Sequence, residues 1–122
     1  MNISPKEVLQ TLESTMAMKS GEWLEEELLN KKEMVLIDLR PRDMWEKSHI
    51  FGSKQILIQE LPLKIETEIP DSDSVVVCIC NGSVQSAMAV VYLRTEGYKN
   101  SFNLSGGFSA WMRNSRSVTS RI

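Results

Sequence analysis

The chain has 122 residues, 42% of them hydrophobic and 25% charged, which suits one soluble domain with a single core and leaves no room for two. Its 14 Lys and Arg against 16 Asp and Glu give a formal charge of −2, which excludes the strongly basic surface of a nucleic-acid binder. No basic leader followed by an apolar stretch opens the chain, and no window approaches the ~18 apolar residues of a membrane span, so neither a cleaved signal nor a membrane partner is expected. Two cysteines, Cys78 and Cys80, are too close to staple a fold and fit a reducing, cytoplasmic setting.

Ser4-Pro5-Lys6-Glu7 reads as a capping box with proline at the first helical position, and Val8, Leu9, Leu12 and Met16 follow at helical spacing. A second amphipathic helix is predicted from Gly21 to Asn30, with Trp23, Leu24 and Leu28 inward and Leu29 a further member of that face. Met34 to Leu39 is a short apolar run that suits a strand buried on both faces. Pro41 then starts a short helix carrying Met44 and Trp45, and Gln55 to Ile58 is a weaker strand. Pro62 opens another helix that ends near Ile69.

Val75 to Ile79 is the strongest strand, β-branched and bounded by polar residues. The helix after Cys80 is expected to bury Val84, Ala87, Met88, Val91 and Leu93 and to end at Gly97. Ser101 to Leu104 reads as a strand, and Gly106-Gly107 as a tight turn into a helix through Trp111. Residues 114–122, rich in Ser and Arg, read as a disordered tail after a domain spanning 1–113. Strands alternating with helices predict an α/β fold with a parallel sheet, whose sites form at the carboxyl ends of strands. Asp38 and Cys80 both fall there.

Cys80 lies between a buried strand and a helix N-terminus, where backbone N–H groups and the helix dipole favour thiolate over thiol. The thiolate is the nucleophile, which makes Cys80 the candidate catalytic residue. N–H groups from Asn81, Gly82, Ser83, Val84, Gln85 and Ser86 can curl into an anion-binding nest, with Gly82 giving backbone freedom and the Ser83 and Ser86 hydroxyls donating to the same charge. Cys78 reads as core, and an already ionised thiolate needs no base from His49, the single histidine. No metal site or cofactor is predicted.

Four stretches in order carry a resemblance: Leu36-Ile37-Asp38-Leu39-Arg40, Ser48-His49-Ile50-Phe51-Gly52-Ser53, Cys80 to Ser86, and Leu104-Ser105-Gly106-Gly107-Phe108-Ser109-Ala110-Trp111. Together they resemble the single-domain rhodaneses, sulfurtransferases whose anchors are Asp-x-Arg, Gly-His-Ile-x-Gly-Ala, a Cys-x-x-Gly-x-Arg-Ser loop and Leu-x-Gly-Gly-x-x-x-Trp. The resemblance implies a mostly parallel five-stranded sheet flanked by helices on both faces. It also implies that Cys80 takes a sulfane sulfur from thiosulfate or a persulfide, holds it as a persulfide and passes it to cyanide or a thiol. Asp38, Arg40 and His49 would order the surroundings. The donor would be a small sulfur compound or a protein persulfide.

Departures sharpen that expectation. Gln85 stands where arginine is common, Ser83 where glycine is usual, and Ser48 replaces the glycine before His49. Met44 occupies a position often held by glutamate, leaving Asp43 or Glu46 as substitute partners for Arg40 beside Asp38, which can pair with it or accept loop N–H bonds, and Leu57 stands where proline is frequent. Without the loop arginine, weak thiosulfate turnover is expected. The rival readings are a non-catalytic binding module of the same fold and a phosphatase or arsenate reductase. The latter needs an oxyanion-gripping arginine that the loop lacks.

Overall fold

The computed structural model describes residues 4–7 and 17–121. Pro5 to Glu7 are helical, and the Glu7 N–H donates to Ser4 Oγ at 3.2 Å, the expected cap. The rest of that predicted helix, Val8 to Met16, lies outside the described residues.

Five strands form one sheet: β1 (Met18–Lys19), β2 (Val35–Asp38), β3 (Lys54–Gln55), β4 (Val76–Ile79) and β5 (Ser101–Leu104). Their order is β1-β5-β4-β2-β3 and every pairing is parallel. Helices α1 (Gly21–Leu29), α2 (Arg42–Lys47), α3 (Leu61–Glu68), α4 (Val84–Thr95) and α5 (Gly107–Arg113) connect or cover the strands. None of the described helices is long and apolar enough to cross a membrane.

Largely apolar runs in β2 and β4, rich in Val and Ile, bury both faces of the sheet centre, so the domain carries an apolar cluster on each side. On one side Ile37, Leu39, Val76, Cys78 and Cys80 pack with Ile65 of α3 and Ala89, Val90 and Leu93 of α4. On the other, Leu36, Val77, Ile79 and Leu104 pack with Leu24 of α1 and Phe108 and Trp111 of α5. The connection after β2 runs to β3 on one flank, whereas that after β4 runs to β5 on the other. Such a reversal opens a crevice at the carboxyl ends of the two strands.

Several expectations change. β1 is a two-residue edge strand, too short to leave a pattern in the sequence. The predicted strand from Gln55 to Ile58 is only Lys54–Gln55, followed by a 3-10 turn at Ile58–Glu60. Leu29 is exposed. The largest revision concerns α4, which buries Ser86, Ala89, Val90 and Leu93 while leaving Val84, Met88 and Val91 74%, 59% and 54% exposed. This helix is apolar on both faces, so hydrophobicity alone did not choose between them; the buried face is the one that lets Ser86 reach the sheet.

Of residues 114–122, expected to be disordered, 116–121 are instead tied back to the domain by hydrogen bonds and an ion pair. Trp111 Nε1 donates to Ser117 O at 3.0 Å, and Arg116 pairs with Glu25 at 2.9 Å. His49 and Thr119 exchange two backbone hydrogen bonds, and Arg121 N donates to Glu46 O at 2.8 Å. Backbone pairing of this kind needs no apolar periodicity, so a Ser/Arg-rich composition concealed it.

Candidate active site

Cys80 is the first residue beyond β4 and is 5% exposed at the base of a cleft of about 270 Å³. Arg40, Pro41 and the loop from Cys80 to Gln85 form its walls. The loop's carbonyls are fastened from outside. Cys80 O accepts from Phe108 N at 2.7 Å and Asn81 O from Ser109 N at 3.0 Å, so the first turn of α5 finds its missing acceptors in the loop. Ser83 O accepts from Ala87 N and from Asn103 Nδ2, both at 3.1 Å, and Ser83 Oγ accepts from Gly106 N at 2.9 Å.

With the carbonyls turned outward, the N–H groups from Asn81 to Ser86 are left without a protein acceptor among the described residues. Peptide N–H groups gathered beside a helix N-terminus in this way make a concave site for an anion. The loop carries no formal charge.

Glycine is required at two positions here, and neither is Gly82. Gly106 and Gly107 have φ of 73° and 59°, and a Cβ on Gly107 would overlap the carbonyl oxygens of Cys80, Asn81 and Gly82. Gly82 has no left-handed φ, and a Cβ there meets nothing within 4 Å. The freedom assigned to Gly82 from the sequence therefore belongs to the glycine pair that carries the loop.

Asp38 and Arg40 form a buried ion pair at the end of β2, Arg40 Nη2 lying 2.8 Å from Asp38 Oδ2. Arg40 N also donates to Asp38 Oδ1, and Arg40 Nη2 donates to Ser48 O at 2.7 Å. The guanidinium stacks on Phe108 with its carbon 3.7 Å from the ring centre. Of the partners open to Arg40, Asp38 is the one that takes it, and Glu46 bonds Arg42 at 3.1 Å. His49 lies away from the sulfur, stacked on Trp45 with its Nδ1 against Trp45 O.

Burial pushes the Cys78 thiol up to about 12, and the neighbouring Cys80 adds to the rise. It is therefore a protonated core residue at neutral pH and a poor resolving thiol. Among the described residues no three His, Cys, Asp or Glu side chains gather as metal ligands.

Asn103, which the sequence reading passed over, connects the parts. It is wholly buried on β5, opposite Cys78 in the β4–β5 register. Its Oδ1 receives the Ser86 hydroxyl at 2.5 Å, and Ser86 Oγ stands 3.3 Å from Cys80 Sγ. The Ser86 hydroxyl donates to Asn103 here. A buried asparagine inside a short strand is the signal that was available, since such an amide must find partners.

The family model for the rhodanese-like domain matches residues 20–114. The chain is 34% identical over 79 residues to the thiosulfate sulfurtransferase GlpE of Haemophilus influenzae, covering 65% of this chain and 73% of that protein. It is 29% identical over 86 residues to GlpE of Pseudoalteromonas translucida, covering 70% and 79%. The crystal structure of the Alr3790 protein from Anabaena superposes with a TM-score of 0.78 at 22% identity, covering 85% of this chain and 81% of that one.

Proposed function

The chain belongs to the rhodanese-like domain family, and from that premise we propose that it is a sulfurtransferase working through a persulfide on Cys80. The observation that carries this reading is that Cys80 opens a cleft-lining loop whose peptide N–H groups find no protein acceptor among the described residues. The kinship with the GlpE thiosulfate sulfurtransferases supports it.

In the first half-reaction the Cys80 thiolate attacks the sulfane sulfur of the donor. The new Sγ–S bond forms as the donor's own bond to that sulfur breaks, and the donor remainder leaves with the electron pair: sulfite from thiosulfate, a thiolate from a persulfide. The outer sulfur then carries the negative charge, and the N–H groups from Asn81 to Ser86 receive it. Because they are fixed before the charge arrives, little reorganisation is needed. In the second half-reaction cyanide or a thiol attacks the outer sulfur, and Cys80 leaves as thiolate. No external oxidant or reductant enters.

Incubation with thiosulfate or a polysulfide is expected to add one sulfur atom by intact mass, and Cys80→Ser to abolish the adduct. No adduct from any donor would transfer the reading to a binding module of the same fold.

Thiosulfate is a dianion, whereas the loop is neutral and Arg40 is already paired with Asp38. We therefore assign the preferred donor to persulfides of a small thiol or a protein. Gln85 is exposed on the cleft wall, and Gln85→Arg is expected to lower the KM for thiosulfate by roughly tenfold through a charge-assisted contact. An unchanged KM in steady-state assays counts against the assignment.

A further inference from the structure

We propose that Asn103 is a positioning residue that tunes the reactivity of Cys80 by competing with its sulfur for the hydroxyl hydrogen of Ser86. The amide's orientation is fixed by its surroundings. Nδ2 donates to Ser83 O at 3.1 Å and faces Met18 Sδ at 3.3 Å, both acceptors, so Oδ1 must be the atom that faces Ser86. An amide oxygen only accepts, and the Ser86 hydroxyl has one hydrogen to give. That hydrogen is therefore committed to Asn103.

The 3.3 Å contact between Ser86 Oγ and Cys80 Sγ is then a bond from the thiol hydrogen to the serine oxygen. In this arrangement Ser86 supports the neutral thiol. When Cys80 ionises, the hydroxyl turns from Oδ1 to the sulfur, giving up one hydrogen bond to make a charge-assisted one. The thiolate gains only the difference between the two. The same turn assists transfer, because Cys80 again becomes a thiolate when the outer sulfur leaves.

Few other groups act on this sulfur. From β4 there is Cys78, protonated at neutral pH, and from β2 the mutually paired Asp38 and Arg40. β5 contains no titratable residue; α4 carries Tyr92 and, in its last turn, Arg94; α5 carries Arg113 in its last turn; and Tyr98, in the same apolar cluster, donates its hydroxyl to Ile69 O. The inference rests on Cys80 being the reactive thiol but not on what it transfers, so its test uses alkylation and leaves sulfur transfer aside.

Iodoacetamide alkylation is followed against pH in the full chain, with Cys80→Ser as the blank. Asn103→Leu removes the competing acceptor and is expected to move the alkylation profile down by about one pH unit, a tenfold faster reaction below the midpoint. Adding Ser86→Ala to that variant is expected to abolish the gain. An unchanged or raised profile in Asn103→Leu, or a gain that survives without Ser86, overturns the proposal. A measurement on the unmodified chain guards against a variant that fails to fold. The Asn103 side-chain amide resonances in 15N spectra are expected to titrate with the alkylation midpoint, and resonances that stay constant through it also overturn the proposal.

Discussion

Gly107→Ala is expected to destabilise the domain by roughly 2–5 kcal/mol, a large share of the ~5–15 kcal/mol that holds a typical domain together. Two effects add. A left-handed φ costs a non-glycine residue about 1–2 kcal/mol, and forcing atoms into a filled space costs about 1–3 kcal/mol. The space is filled by the carbonyl oxygens of the cysteine loop, which α5 approaches closely enough to hydrogen-bond. Relief therefore comes by pushing the loop away, and sulfur loading should fall with stability. Thermal unfolding should show a midpoint lowered by about 10 °C or more. Gly82→Ala is the matched control in the loop itself, where the added methyl meets open space and the change should stay within about 1 kcal/mol. Equal penalties at the two glycines would falsify the view that Gly107 carries the loop.

Asp38→Ala is the second large loss. Asp38 is 0% exposed and Arg40 3%, so deleting the carboxylate leaves a guanidinium buried without its counter-charge. Breaking one side of such a pair costs about 3–5 kcal/mol, whereas replacing both partners with apolar residues of similar volume is often nearly neutral. Asp38→Leu combined with Arg40→Met should therefore recover most of what either deletion loses in urea titrations. Arg40 also holds Ser48 O and lies on Phe108, tying the end of β2 to the loop before His49 and to α5. A single mutant that loses less than about 1 kcal/mol would show that the pair behaves like an exposed one.

Much of this molecule is legible in its sequence where the physics is local. β2 and β4 announce themselves because strands buried on both faces need unbroken apolar runs. Pro62 sits in the first turn of α3, where one residue's chemistry settles the boundary, and α1 begins at Gly21 as its amphipathic pattern predicts. The position of Cys80 follows from a strand ending where a helix begins. What could not be read depends on contacts between distant segments. Gly106-Gly107 looked like a turn, but its tighter requirement comes from a loop far upstream in the chain. Ser86 shares the inner face of α4 with Ala89, Val90 and Leu93, and its bond to Asn103 distinguishes that face from the outer one, which is apolar too. The neutral loop was visible at once in Gln85, while the direction of the Ser86 hydrogen was not, because it is set by two acceptors on the far side of Asn103.

A site whose donors are peptide N–H groups has no proton to lose anywhere in the range where proteins stay folded. Its pull on a charged sulfur is therefore constant with pH, unlike one built from histidine or lysine. Nor does it vary with rotamer, since peptide dipoles are fixed by the fold. Under the proposed sulfur transfer, the pH dependence of loading would then lie with the Cys80–Ser86–Asn103 chain, and that of unloading with the acceptor. The two half-reactions can accordingly be titrated apart.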